Sequence, residues 1–159
     1  MGVLVLMRHA KSDYPVGVPD HDRPLAPRGR REAPLMAPLL EAELADCSRV
    51  AVLVSTAVRA QETWAAVEAH LSLPVTVEAM AGLYESDPAT IARYVHEVSD
   101  VDAVIVVAHN PGLEQAVADW VGVPVERFPT SAFAVLECEE AWDAFERAPV
   151  RLRAFHIAR

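Results

Sequence analysis

Short runs of large apolar residues alternate along the chain with longer amphipathic segments. Five consecutive apolar residues, Val3 to Met7, are too few for a helix and predict a strand that is buried on both faces. Similar runs at residues 49–54 and 103–107 predict two more strands of this kind. Strands of this type form parallel sheets that helices cover on both sides.

The segments between these strands carry apolar residues at helical spacing. The pattern predicts a helix over 28–45, in which Pro38 is expected to cause a kink. Ser55 and Thr56, with Gln and Glu further on, mark the start of a second helix that runs to about residue 70. Helices are also predicted from Pro88 to about residue 98 and after Gly112.

Three weaker strands complete the pattern. A short strand is predicted at 74–77, and the alternating segments 131–138 and 150–157 predict two late strands near an edge. The fold class predicted from the sequence is therefore α/β, a three-layer α/β/α sandwich. Its central sheet is mostly parallel, with late antiparallel edge strands.

Composition narrows the classes of function. A chain of 159 residues is expected to form a single domain over 1–159. The net charge of −9 argues against nucleic acid as a partner, and no stretch is long enough to cross a bilayer. With only two cysteines, and no basic region before the first apolar run, we expect a cytoplasmic protein. Residues 1–31 carry a net +3, so the rest carries −12, and this basic end favours a small anionic target.

Imidazole and guanidinium groups follow the three strong strands. Arg8 and His9 end the first strand, Arg59 lies just beyond the second, and His109 ends the third. Ligand crevices of parallel sheets lie at the carboxyl ends of the strands, so these four side chains are expected to converge. Arginine binds phosphate oxygens through two donors, and a neutral imidazole can attack phosphorus. We therefore expect a site for a dianionic tetrahedral group.

With these residues, the sequence resembles the histidine phosphatase superfamily, and within it the short phosphohistidine phosphatases of the SixA type. The resemblance is collinear to about residue 138. The matching stretches are Met7–Ser12, Arg23–Leu25 with Gly29, Ser55–Thr63, Leu83–Glu85, Ala108–Gly112 and Thr130–Ala132.

The resemblance implies that His9 is the nucleophile and becomes phosphorylated, with Arg8, Arg59 and His109 around the phosphoryl oxygens. The chemistry is consistent with these roles, because phosphoryl transfer is promoted mainly by placement and positive charge. His9 must be neutral to attack, whereas His109 would serve best as a cation. No cofactor or metal ion is expected, since guanidinium groups supply the charge.

Other residues complete the predicted site. Glu85 is the candidate proton donor and acceptor, with Asp87 as its rival; a cap of the following helix is the alternative for Glu85. Arg23 matches a segment that approaches the pocket mouth in the family, although a surface turn explains it equally well. Ser12 and Lys11 are candidate phosphate donors.

The predicted function is hydrolysis of phosphohistidine on proteins through a phospho-His9 intermediate. Short connections leave little chain for a lid, so we expect an open pocket that suits a phosphate on a protein side chain. One alternative is a phosphatase for small sugar or nucleotide phosphates, and another is a non-catalytic phosphate-binding scaffold. Mutase activity is a weaker option. A phosphorylated protein or small molecule is the expected partner, rather than nucleic acid or a membrane.

Overall fold

A computed structural model describes all residues from 1 to 159 and places six strands in one sheet. The order across the sheet is β3-β2-β4-β1-β5-β6, where the strands are β1 (Gly2–Arg8), β2 (Val50–Ser55), β3 (Val75–Met80), β4 (Ala103–Ala108), β5 (Ala132–Cys138) and β6 (Arg151–Ile157). The first four strands are parallel, β5 is antiparallel to β1, and β6 is antiparallel to β5. This arrangement confirms the predicted sheet.

Helices cover both faces of the sheet. They are α1 (Pro27–Glu32), α2 (Met36–Glu43), α3 (Val58–Glu68), α4 (Pro88–His96) and α5 (Gly112–Val121). Successive strand residues point to opposite faces, so Leu4 and Leu6 enter one core while Val5 and Met7 enter the other. The helices α4 and α5 cover the first core, and α2 and α3 cover the second. The three-layer α/β/α sandwich predicted from the sequence is therefore confirmed.

The single helix predicted over 28–45 is wrong. It is divided into α1, a 3-10 turn over Ala33–Leu35, and α2. Pro34 lies in the first turn of the 3-10 segment, and Pro38 lies in the first turn of α2. A proline in the first turn of a helix breaks no internal hydrogen bond, so a restarted helix accommodates both residues. The other predicted helices end within two residues of the observed ends, at Glu68 and His96. None of the helices is long and apolar enough to span a bilayer.

The polar segment after β1, residues 10–26, is a long loop whose two ends are held together. The Asp13 amide donates to the Pro24 carbonyl at 2.9 Å, and the Ala26 amide donates to the Lys11 carbonyl at 2.9 Å. A 3-10 turn over Asp20–Asp22 lies in the middle of this loop. The loop therefore folds back on itself beside the carboxyl end of β1, where the predicted site lies.

Gly29 in α1 packs closely against the backbone at the start of this loop. A Cβ atom on Gly29 would lie 2.1 Å from the Lys11 carbonyl oxygen. We expect Gly29→Ala to lower the free energy of unfolding by about 2 kcal/mol or more, because two backbone segments must separate. Chemical denaturation measures the change. Arg30→Ala, at the next and exposed position of α1, is the control and is expected to cost less than about 0.5 kcal/mol. An equal loss in both variants would contradict the packing argument.

Candidate active site

The carboxyl ends of β1, β2 and β4 meet at one edge of the sheet. Arg8, at the end of β1, pairs in register with Ala108, so His9 and His109 follow on adjacent strands. Their ring centroids are 5.1 Å apart. Arg59 is the second residue of α3, which begins just after β2. The four residues predicted to converge therefore do converge.

These groups line a small cavity of about 220 Å³. Lys11, Ser12 and Arg23, the candidate phosphate-binding residues, also lie in its wall. The complete lining is Arg8, His9, Lys11, Ser12, Tyr14, Arg23, Arg59, His109, Asn110 and Thr130. Four cationic side chains and two imidazoles are present, and no lining residue carries a carboxylate.

His9 is held in the tautomer that a nucleophile needs. Its Nδ1 lies 2.8 Å from the Ala10 carbonyl oxygen, so Nδ1 carries the proton and donates it, which leaves the Nε2 lone pair free. The Ala10 amide in turn donates to the Thr63 hydroxyl at 2.9 Å, and that hydroxyl donates to the Arg59 carbonyl at 2.7 Å. Burial lowers the pKa of His9 to about 3, so the ring is neutral near pH 7.

Both arginines are fixed by backbone carbonyls. Arg8 Nη1 donates to the Phe128 carbonyl at 2.9 Å, an oxygen that also accepts from the Asn110 amide group. Arg59 Nη1 donates to the Asp20 carbonyl at 2.7 Å, and its Nη2 lies 3.2 Å from the Asp20 carboxylate. The Nε atoms of both arginines are buried and have no partner in the protein. Each guanidinium is thus anchored at one side and keeps a donor unpaired.

His109 is held through Ser55. Its Nε2 lies 2.8 Å from the Ser55 hydroxyl oxygen, which accepts the Ala57 amide at 3.2 Å. Because that oxygen already accepts one hydrogen bond, its own proton can be donated to Nε2, which leaves the Nδ1 proton of His109 unpaired. The Nδ1 atom is buried without a partner in the protein. The arrangement can present an N–H donor to an anion.

The positive charge expected of His109 is one that a bound phosphate would maintain, and the free protein does not carry it. Burial, and then repulsion by Arg59, lower the pKa of His109 to about 4, so both imidazoles are neutral near pH 7. A bound anion would favour the charged form, because opposite charge raises the pKa of an imidazole. The opposite protonation states expected from the sequence therefore require an anion in the cavity.

Three of the four buried side-chain polar atoms without a partner belong to residues of this cavity. They are Arg8 Nε, Arg59 Nε and His109 Nδ1. Buried donors are almost always paired, and an unpaired one costs about 1–3 kcal/mol. Three unpaired donors beside a neutral imidazole therefore match a tetrahedral anion with several oxygens, as the sequence predicted.

Glu85, the predicted proton donor, is not brought into the cavity. Its side chain is exposed and makes no hydrogen bond or ion pair. Asp87 is also exposed, and its carboxylate accepts the Thr90 amide at 2.8 Å as the N-cap of α4. Tyr84, the residue before Glu85, faces the site instead, with its ring centroid 5.7 Å from that of His109. A tight turn directs adjacent side chains in different directions, which spacing along the chain does not reveal.

The sequence predicts Arg23 either as a site residue or as part of a surface turn. In the structure it lies in the long loop and also lines the cavity. It is only 9% exposed, and its guanidinium carbon is 3.9 Å from the centroid of the Tyr14 ring. Its Nε donates to the Asp20 carboxylate at 2.9 Å. Sequence reasoning missed both Tyr14 and Asp20. The only signal for either was their place in a loop longer than usual, which favours a functional role.

The lowered pKa values of His9 and His109 predict that the protein loses stability in mild acid. In the unfolded chain both rings titrate near 6.5, whereas in the folded chain the pKa values are about 3 and about 4. Below pH 6.5 the unfolded chain therefore binds more protons, and the free energy of unfolding falls as the pH falls. One group contributes a slope of up to about 1.4 kcal/mol per pH unit.

Urea denaturation between pH 7 and 5 measures this slope. His9→Asn is expected to show a shallower decrease than the wild type, because one of the two groups is gone. His70→Gln, which removes an exposed histidine, is the control and should follow the wild type. A slope that His9→Asn leaves unchanged would mean that His9 titrates normally.

The fold and the cavity define an α/β protein in which two histidines and two arginines surround a pocket that suits a tetrahedral oxyanion. Comparison of this chain with known protein families and structures agrees with this class. A family model described as histidine phosphatase superfamily (branch 1) matches residues 4–91. The chain belongs to this superfamily, whose members are phosphatases.

Relatives of known sequence extend the match over the whole chain. The Mycobacterium tuberculosis protein Rv1276c is 40% identical over 96% of this chain and 100% of its own length. The Escherichia coli phosphohistidine phosphatase SixA is 31% identical over 86% of this chain and 85% of its own length. The resemblance to SixA inferred from the motifs is confirmed.

Solved structures are similar as well. A proposed phosphohistidine phosphatase SixA from Nakamurella multipartitia superimposes with a TM-score of 0.87 at 29% identity, covering 99% of this chain and 96% of that one. The mycobacterial glucosyl-3-phosphoglycerate phosphatase Rv2419c has a TM-score of 0.70 at 19% identity, with 99% of both chains covered. At that identity the second likeness concerns the fold alone.

Proposed function

We propose that the protein hydrolyses phosphohistidine on proteins through a covalent phospho-His9 intermediate. The observation that carries the proposal is the pairing of a neutral His9 ring, its Nε2 lone pair free, with three unpaired donors in one cavity. Nucleophile and oxyanion donors within one small site are the arrangement that phosphoryl transfer requires.

In the first step Nε2 of His9 attacks phosphorus in line. The Nε2–P bond forms as the bond between phosphorus and the substrate imidazole breaks. The substrate ring, which carries a proton on its other nitrogen, keeps the electron pair and leaves as a neutral imidazole. Arg8, Arg59 and His109 donate to the oxygens as charge spreads over them. In the second step water attacks phosphorus and releases one proton to solvent, the Nε2–P bond breaks with its electron pair returning to His9, and hydrogen phosphate and neutral His9 are produced.

The cavity lining favours phosphohistidine over a phosphate ester. An ester releases an alkoxide, which needs a general acid, and no carboxyl group lines the cavity. A phosphohistidine ring can instead take a proton from solvent on the nitrogen that is not bound to phosphorus, and it then leaves as a neutral imidazole without a general acid in the cavity. The cavity of about 220 Å³ is also smaller than the ~300–1,000 Å³ of a typical small-molecule site, so it suits a phosphoryl group whose carrier remains outside.

Turnover of a phosphohistidine-bearing protein, compared with a panel of sugar and nucleotide monophosphates, tests the proposal. We expect kcat/KM to be highest for the phosphohistidine protein, and mass spectrometry after a rapid base quench, which preserves phosphohistidine, to find phosphate on His9. Treatment with EDTA is expected to leave the rate unchanged. Preference for an ester would favour the small-molecule alternative. Binding of phosphoprotein with neither turnover nor labelled His9 would favour the scaffold alternative.

The role of Glu85 can be tested separately. Because its side chain lies outside the cavity, we expect Glu85→Gln to change kcat/KM on the phosphohistidine protein by less than about twofold. A general acid or base contributes about 10²–10⁴-fold, so the two outcomes are well separated. A loss of more than tenfold would show that Glu85 moves to the substrate and has the role predicted from the sequence. Glu78→Gln, at an exposed position of β3, is the control.

A further inference from the structure

Asp20, in the 3-10 turn of the long loop, is the centre of the polar contacts at the mouth of the cavity. Its carboxylate accepts hydrogen bonds from Arg59 Nη2 at 3.2 Å, from Arg23 Nε at 2.9 Å and from the Tyr84 hydroxyl. Its carbonyl oxygen accepts a bond from Arg59 Nη1 at 2.7 Å. A single residue of the loop thus contacts both terminal nitrogens of Arg59.

These contacts fix the orientation of Arg59. With Nη1 and Nη2 each bound to Asp20, Nε is the one guanidinium nitrogen without a partner in the protein. Asp20 therefore holds both terminal nitrogens of Arg59 and leaves its Nε–H as the unpaired donor. Asp20 does not itself line the cavity, so its effect passes through the lining residues that it contacts, Arg59 and Arg23.

Asp20 also places negative charge beside the cationic cavity. The Tyr84 hydroxyl, and with it Arg59, lowers the pKa of the Asp20 carboxyl to about 2, so the group is ionised at any pH near neutrality. Its side chain is 58% exposed, so solvent and salt screen this charge, and its effect on an anion is greatest at low ionic strength. One carboxylate shared by Arg23 and Arg59 reduces the attraction that the cavity exerts on a dianion.

We propose that Asp20 is a positioning residue that orients Arg59 and whose charge weakens the binding of free phosphate, so that the product is released. This inference rests on the proposed phosphatase function. Arg8, Lys11, Arg23 and Arg59 surround one small cavity, and without a counter-charge they would bind the phosphate dianion tightly and slow turnover. The carboxylate on the far side of the Arg59 guanidinium opposes that binding.

Three variants separate charge from geometry. Asp20→Asn keeps a carbonyl acceptor but removes the charge, and Asp20→Glu keeps the charge on a longer arm. Asp22→Asn removes the same charge two residues away, where the carboxylate contacts only His21, at 3.5 Å. Inorganic phosphate is the probe, and its dissociation constant is measured by calorimetry at low salt, alongside kcat and KM on the phosphohistidine protein and a thermal unfolding curve.

We expect Asp20→Asn to bind phosphate about tenfold more tightly than the wild type, while its kcat falls. Asp20→Glu keeps the charge and is expected to bind phosphate as weakly as the wild type does. Asp22→Asn should stay within about twofold of the wild type. A purely structural residue would weaken phosphate binding when replaced, so unchanged or weaker binding in Asp20→Asn would overturn the proposal. An equal gain in Asp22→Asn would also overturn it, because the effect would then be one of net charge.

The phosphate measurement needs no turnover. If the wild type binds phosphate but leaves His9 unlabelled, the proposed function fails while the comparison of Asp20 variants still gives a result. If His9 is labelled and the variants bind phosphate alike, only the inference about Asp20 fails.

Discussion

His9→Asn is expected to lower kcat/KM on a phosphohistidine protein by at least about 10⁴-fold. The asparagine amide can still donate a hydrogen bond to the Ala10 carbonyl, but it has no ring nitrogen to form a bond with phosphorus, so the covalent route is lost. The three unpaired donors of the cavity remain in the variant. We therefore expect phosphate binding to survive, within about tenfold, while turnover does not.

Single-turnover kinetics with a base quench measure both the rate and the labelled residue. His70→Gln is the control, because His70 is exposed and contacts no residue of the site, and it should retain the wild-type rate and the label on His9. Turnover within tenfold of the wild type in His9→Asn, or a label on another residue of the variant, would exclude His9 as the nucleophile.

Arg59→Lys is expected to cost about 10²–10³-fold in kcat/KM although the charge is kept. The guanidinium contacts the Asp20 carbonyl and carboxylate with two nitrogens and keeps a third for the anion. A lysine ammonium is a compact charge that lacks this planar set of donors. Loss of one oxyanion donor typically costs 10²–10³-fold.

Steady-state kinetics on the same substrate measure the loss. Arg30→Lys, an exposed exchange of the same kind in α1, should leave the rate unchanged. A rate for Arg59→Lys within threefold of the wild type would mean that charge alone suffices at this position, and the orienting role inferred for Asp20 would then have no basis.

The parts of the site that could be predicted from the sequence are those that the sheet itself positions. Arg8 ends a buried strand, and His9 and His109 directly follow buried strands; parallel strands place such residues at one edge whatever the connections do. The three apolar runs were sufficient to locate these residues. Arg59 follows β2 at the start of α3 and was found by the same argument.

The parts that could not be predicted depend on loop geometry. Glu85 and Tyr84 are adjacent, and only the turn after Ala81–Leu83 decides that Tyr84 faces the site. Ser55 was interpreted as part of a helix start, but α3 begins at Val58 without a side-chain cap, and the Ser55 hydroxyl contacts His109. Asp20 reaches Arg59 across 39 positions of sequence. No local pattern specifies such contacts.

The strand order has a consequence for how ligand and fold depend on each other. The strand β4 lies between β1 and β2, although it follows both in the chain by about fifty residues or more. An anion held by His9, Arg59 and His109 therefore bridges three regions that are distant in sequence, and the unfolded chain has no such site. Any ligand of this kind adds its binding energy to the cooperative stability of the domain, so melting temperature should rise with phosphate concentration.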